Sequence, residues 1–376
     1  MSDPHAEIDP EGLLEYSVVF TDRSLNHMSQ RFQKVMCDIS DSLRRAYSAS
    51  AVVLVPGGGT FAMEAVARQF AQDKRCLVIR NGWFSYRWTQ ILDTGNIASK
   101  TTVLKARPHN GGGNQPFAPA PIDDVIATIK ANRTEVVFCP HVETSSGIML
   151  PDDYISAAAE AVHAAGGMLV LDCVASGAIW IDMQKLGVDC LITAPQKGWS
   201  GTPCSGAVLL SELARERIQT SRSTSFSCDL AAWLQIMEAY EGGGFSYHAT
   251  LPTDSLRTFR DAICETEKFG LEKARIAQVE MGRRVRTLLA AHGLPSVAAA
   301  GFTSPAVIVS YTADPELKSG KKFAEVGLQV AAGVPLMCDE GEEFQTFRIG
   351  LFGLDKLQNI ERTVTALENA LCRIIQ

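Results

Sequence analysis

The ten cysteines include no C-x-x-C pair, and no histidine cluster has metal-ligand spacing, so the sequence offers no framework for a metal. No secretory pattern opens the chain; reduced thiols in a cytoplasm are expected. Positive charge is also short. The 35 Lys and Arg against 42 Asp and Glu leave a formal charge of -7, which provides no basic field for a nucleic-acid backbone or an anionic membrane. The longest uncharged stretch, 293–313, is cut by Pro295, Gly301, Ser304 and Pro305, so no membrane span is expected. No G-x-S-x-G elbow appears, which removes a Ser/His/Asp hydrolase, and no internal repeat is found.

What is present suits an ordinary globular protein. The 376 residues are 46% hydrophobic, 20% charged and 7% aromatic, enough for two or three domains. An acidic segment, residues 1–16, reads as a mobile or loosely docked tail. Short apolar, β-branched runs then recur at 52–55, 76–79, 136–139, 168–171, 190–192 and 207–210. Helical patterns lie between several of them. Ile122, Val125, Ile126 and Ile129 share one helical face, and Pro151-Asp152-Asp153 opens another helix running to about 165. Such alternation predicts an α/β fold with a mostly parallel, doubly wound sheet in a large domain, 17–265. The stretch 255–292 reads as one long helix linking to a smaller α+β domain, 266–376. There, strands are expected at 306–311 and 344–351, with helices near Phe323 and over 355–374. The segment 109–121, with three glycines and three prolines, reads as a surface loop.

Ligands of open parallel sheets bind beyond the carboxyl ends of the strands, so the residues there carry the functional signal. After the first run comes Pro56-Gly57-Gly58-Gly59-Thr60, then a helix. Glycines allow backbone amides to approach an anion closely, and a helix N-terminus adds partial positive charge, so a phosphate fits. The same glycines satisfy the dinucleotide form G-x-G-x-x-A. A nicotinamide enzyme is therefore a rival, although Arg80 stands where that fingerprint wants an acid. Asp172 and Gln196-Lys197 follow two further runs. A phosphate cradle, a carboxylate and a lysine amine together suit pyridoxal 5'-phosphate, which needs an amine for its aldehyde and an anion for its ring nitrogen. Trp83-Phe84 supplies an aromatic pair for a planar ring, and the segment His141 through Gly147 offers hydroxyls.

Seven blocks in order then resemble the class V, fold-type I aminotransferases, in particular the alanine:glyoxylate and serine:pyruvate branch. They are Gly58-Gly59-Thr60-Phe61-Ala62-Met63-Glu64-Ala65, Asn81-Gly82-Trp83-Phe84-Ser85-Tyr86-Arg87, Glu143-Thr144-Ser145-Ser146-Gly147, Asp172-Cys173-Val174-Ala175-Ser176, Gln196-Lys197, Tyr247-His248-Ala249-Thr250-Leu251-Pro252 and Phe347-Arg348-Ile349-Gly350-Leu351. The resemblance implies a PLP-dependent aminotransferase that passes an amino group from a small amino acid, of alanine or serine type, to glyoxylate or pyruvate. It implies that Lys197 holds the cofactor as a Schiff base, that Asp172 pairs with the ring nitrogen, and that Phe84 and Val174 cover the two ring faces. Gly58, Gly59, Thr60 and Gln196 would meet the phosphate, and Thr144 would join the cofactor site. Tyr247 and Thr250 would reach the phosphate of the neighbouring subunit in a homodimer, and Arg348 would hold the substrate's carboxylate. In place of the branch's Pro-Gly-Pro motif stands Tyr16-Ser17-Val18-Val19-Phe20-Thr21-Asp22, which leaves the amino donor open. A desulfurase or related lyase is the rival within the superfamily; it would carry a His where Gln196 stands. A PLP-holding sensor without turnover is the non-enzyme alternative.

Overall fold

Residues 8–109 and 115–375 are described by the computed structural model. Its strands are β1 (Ala51–Pro56), β2 (Arg75–Arg80), β3 (Lys100–Lys105), β4 (Arg107–Pro108), β5 (Phe117–Ala118), β6 (Val136–Pro140), β7 (Met168–Asp172), β8 (Cys190–Thr193), β9 (Ser205–Leu210), β10 (Val307–Tyr311), β11 (Ala331–Ala332) and β12 (Thr346–Gly350). Seven make one sheet in the order β1-β9-β8-β7-β6-β2-β3. It is parallel except at β9, which runs antiparallel to both β1 and β8. β6, β7 and β8 are buried along their whole length. Uninterrupted apolar runs of this kind are what a sheet covered on both faces requires.

Helices Gly59–Phe70, Trp83–Thr94 and Asp152–Ala164 fill the crossovers after β1, β2 and β6. The helix Gln30–Tyr47 shows why its residues choose that form. Ser29 caps it by accepting from the Phe32 amide, and Phe32, Val35, Met36, Ile39 and Leu43 recur at helical spacing as one buried face. Ser48, in the left-handed region at φ 54°, ends it.

Three apolar clusters result. The largest surrounds the seven-stranded sheet. A second joins helices Leu271–Ala291 and Ile360–Ile374 to Phe323 and Phe347. The third draws Val142, Ile148 and Ala175 from loops after the main strands together with Val307, Val309 and Leu336, so the three-stranded sheet β10-β12-β11 packs close to the carboxyl ends of the main one.

Several elements differ from the sequence expectation. The single helix expected over 255–292 is two, Thr253–Phe269 and Leu271–Ala291, separated by Gly270 at φ 104°, a conformation that a side chain disfavours. The terminal helix likewise divides into Leu354–Gln358 and Ile360–Ile374. β3 carries only Val103 and Leu104 as apolar residues, and as an edge strand it needs no more. In the segment expected to be a loop, β4 and β5 pair antiparallel; residues 110–114 lie outside the described residues. Of the expected tail, residues 1–7 also lie outside, whereas Ile8 packs on the main core, its carbonyl accepts from Arg31, and Asp9 is buried.

Candidate active site

The turn after β1 is shaped by close approach. Gly57 sits at φ 118° and its amide donates to the Cys204 carbonyl at 2.9 Å. A Cβ on Gly59 would lie 2.8 Å from Cγ2 of Val174, so only glycine lets the turn and the loop after β7 meet there. Thr60 follows in the first, exposed turn of the helix, where backbone amides lack intrahelical acceptors.

Asp172 ends β7 in the buried interior and accepts from the Val174 amide at 2.9 Å. Burial pushes its carboxyl up to about 6; the Glu143 charge acts in the same sense, and Arg87 and Lys197 oppose it. Lys197, half-buried in the loop after β8, lies with Nζ 5.1 Å from the Phe352 ring centroid. Burial lowers its ammonium below the ordinary lysine range, the Arg348 charge lowers it further, and Asp172 works against both. Beside it, Gln196 has Oε1 buried without a hydrogen-bond partner.

Glu143 carries a role that no sequence pattern announced. Fully buried after β6, its carboxylate accepts from the amides of Phe84 (3.1 Å), Ser85 (2.9 Å) and Ser145 (3.0 Å), and from the hydroxyls of Ser85 (2.6 Å) and Ser145 (2.8 Å). It thus caps the helix Trp83–Thr94 from a neighbouring loop and fixes the backbone that carries Phe84. Gly82 is required beneath it, since a Cβ there would lie 2.8 Å from Cδ of Glu143. The hydroxyls expected to face a ligand are thereby engaged: Ser145 bonds Glu143, and Ser146 donates to the Asn81 carbonyl at 2.8 Å. Thr144 is half-buried in the same loop.

Two guanidinium groups flank Phe84. The central carbon of Arg348 lies 5.5 Å and that of Arg87 5.2 Å from the ring centroid. Arg348 is held by its Nε, which donates to the Ala332 carbonyl at 2.8 Å, and Arg87 donates from Nη1 to Thr60 Oγ1 at 2.9 Å. Contacts and mutual charges therefore join Gly59, Thr60, Phe84, Asp172, Val174, Lys197 and Arg348 into one cluster, with Gly58 and Gln196 adjoining in the chain. Tyr247 and Thr250 stand apart. Their hydroxyls are 3.1 Å from each other, both residues are exposed, and Tyr247's ring contact is His27 at 5.6 Å.

A buried amide oxygen without a partner, a turn that a Cβ on Gly59 would fill, a lysine amine and a buried carboxylate are the donor set that pyridoxal phosphate requires, and the residues present fit it. With these groups at the carboxyl ends of a mostly parallel sheet, the fold and site define a fold-type I PLP enzyme. The chain belongs to the class-V aminotransferase family, whose profile matches residues 13–301. It is 29% identical over 335 residues to the 2-aminoethylphosphonate–pyruvate transaminase of Vibrio vulnificus (strain CMCP6), covering 85% of this chain and 83% of that one. The transaminase of the same description from Paraburkholderia phymatum is 29% identical over 362 residues, 94% and 90% of the two chains. Among solved structures, an alanine–glyoxylate aminotransferase from Nostoc sp. has a TM-score of 0.77 at 21% identity, over 92% of this chain and 89% of its own. The ureidoglycine–glyoxylate aminotransferase of Bacillus subtilis gives 0.76 at 21%, over 96% and 88%. These two show the fold.

The chain is thus a PLP-dependent transaminase, and the rival readings lose their residues. Arg80, which stands where the dinucleotide fingerprint wants an acid, is buried; its guanidinium donates to the Met337 carbonyl (3.1 Å) and Thr89 Oγ1 (2.9 Å) and covers the Tyr86 ring. Cys204, close to Lys197 in sequence, is buried and its thiol is pushed up by that burial, the reverse of a desulfurase nucleophile. Among the described residues no cluster could hold a metal ion, and no helix is long and apolar enough to cross a membrane.

Proposed function

We propose that this transaminase moves the amino group of a small amino acid, of alanine or serine type, onto a small 2-oxo acid, glyoxylate or pyruvate. The observation that carries the reading is the placing of Lys197 and Arg348 around Phe84 and Phe352, near enough for the charge of Arg348 to lower the Lys197 ammonium. A substrate amine placed near Lys197 would have the Arg348 guanidinium as a partner for its carboxylate. The acceptors named for the similar enzymes, pyruvate and glyoxylate, are carboxylates of this size.

When bound, pyridoxal phosphate supplies an aldehyde for amines and a ring that accepts electrons from the carbon that loses its proton. Lys197 would be its attachment point, and the lowered proton affinity of this amine suits it to hold and move a proton at the substrate carbon. Asp172 places a negative charge against the ring nitrogen, and Val174 and Phe84 cover the two faces. Gly58, Gly59, Thr60 and Gln196 would hold the phosphate, and Thr144 would join the cofactor site. Arg348 fixes the carboxylate with a planar fork that lysine cannot reproduce.

A symmetric homodimer completes the site, with Tyr247 and Thr250 of one copy serving the other. Its support is the exposure of Tyr247 together with Phe226 and Phe245, aromatic surface that a monomer would leave in water. Residues 17–265 form the large domain and 266–376 the small one, and the enzyme works in the cytoplasm.

The test is spectroscopic and then kinetic. Purified protein should be yellow, borohydride should bleach it and fix the cofactor to Lys197, and a donor panel should show turnover with glyoxylate or pyruvate. Lys197→Ala should stall both half-reactions. Near-native turnover in that variant, or a colourless protein that binds NADPH, would overturn the reading.

A further inference from the structure

Arg87 is given no part in the reading above, yet its geometry is that of a ligand-binding group. It leaves the first turns of the helix Trp83–Thr94, crosses the face of Phe84 and ends on Thr60 Oγ1 at 2.9 Å. Among the described residues no carboxylate pairs with it, while its charge is felt by buried Asp172. A half-buried arginine that contacts no acid holds an uncompensated positive charge, here directly beside the glycine turn and the open amides of the helix Gly59–Phe70.

The hydrogen bond to Thr60 has a directional consequence. The guanidinium N–H occupies a lone pair of the hydroxyl, which leaves the hydroxyl's own proton free for a further acceptor. A donor hydroxyl, a guanidinium and helix-terminal amides together favour a dianionic oxyanion over an uncharged alcohol, whose oxygen accepts a hydrogen bond but carries no charge for the guanidinium to pair with. Arg348 also lies against the Phe84 ring, but its Nε donates to the Ala332 carbonyl, whereas Arg87 ends on Thr60.

Resting on the transaminase reading, we propose that Arg87 is a further cofactor-binding residue, which selects the phosphorylated aldehyde by binding its phosphate monoester and by orienting Thr60 toward it. The alternative is a structural arginine that only ties two helices together. Such a residue would affect binding of the phosphorylated and unphosphorylated aldehydes equally.

The experiment titrates cofactor-free protein with pyridoxal 5'-phosphate and, separately, with pyridoxal, following tryptophan fluorescence. Arg87→Met should weaken pyridoxal phosphate by about tenfold to a hundredfold, the range of a charged hydrogen-bond partner, and leave pyridoxal affinity unchanged. Arg87→Lys, which keeps the charge and loses the fork, should fall between. If Arg87→Met does not fold, Arg87→Lys and Thr60→Val carry the test: each should lose pyridoxal phosphate selectively, and their losses should not add. Equal losses for the two aldehydes, or none, would overturn the proposal while the transaminase reading stands. Wild-type protein that binds neither aldehyde at Lys197 would overturn both.

Discussion

Asp172 is a carboxylate held where water cannot solvate it, with a single backbone amide as hydrogen-bond donor. Its carboxyl, raised to about 6, binds a proton more readily in the folded chain than in the unfolded one. A raised carboxylate costs stability as pH climbs from the unfolded value through the folded one, so the penalty is absent in acid and complete above neutrality. Asp172→Asn should therefore stabilise cofactor-free protein by up to about 3 kcal/mol at pH 8, an advantage that vanishes near pH 4. Denaturant unfolding across that range checks it. The same variant should transaminate slowly if Asp172 has the role proposed for it, since the fixed charge proposed to face the ring nitrogen is then gone. A gain in stability joined to a loss in rate is the mark of a residue kept for chemistry.

At the scale of elements, the start of the helix Trp83–Thr94 depends on a carboxylate delivered from another loop. Gly82→Ala should drive a methyl into Glu143 and Ser145, with a Cβ 2.8 Å from the one and 2.0 Å from the other. Overpacking of this kind costs about 1–3 kcal/mol, and here it also shifts the backbone of Phe84. The expected outcome is a lowered melting temperature together with weakened pyridoxal phosphate binding; a melting shift with unaltered cofactor affinity would show that Glu143 does not position Phe84. Glu143 lies inside a block the sequence reading quoted, but the helix amides it caps, those of Phe84 and Ser85, lie 59 and 58 residues upstream, and spacing along one chain does not display them. The break at Gly270 escaped for a different reason. Both flanking segments carry helical periodicity, and one glycine inside such a pattern is commonly tolerated.

For the whole molecule, the parallel runs were legible because burial on both faces demands uninterrupted apolar residues, as in Met168–Asp172. The residues that end those strands were legible because the fold puts ligands there. Arg87 and Glu143 were not, since each acts by contact with a different element. Tyr247 and Thr250 are exposed in the single chain, so their proposed work requires another copy. Dilution should accordingly reduce specific activity in step with the dimer fraction measured by light scattering, and Tyr247→Phe should weaken pyridoxal phosphate without changing the monomer fold. A fully active monomer would exclude a shared site.

The antiparallel strand β9 also sets an order of assembly. β1 pairs with β9 from Ala51 opposite Leu210 to Pro56 opposite Ser205, and has no other neighbour in the sheet. During synthesis, β1 and the glycine turn beyond it leave the ribosome long before the strand that anchors them. Loop closure over such a span is slow, and the waiting strand is apolar and unpaired at both edges. The glycine turn is thus written early in the chain and built late in folding, and a nascent chain halted short of residue 205 exposes an apolar strand without its pairing partner.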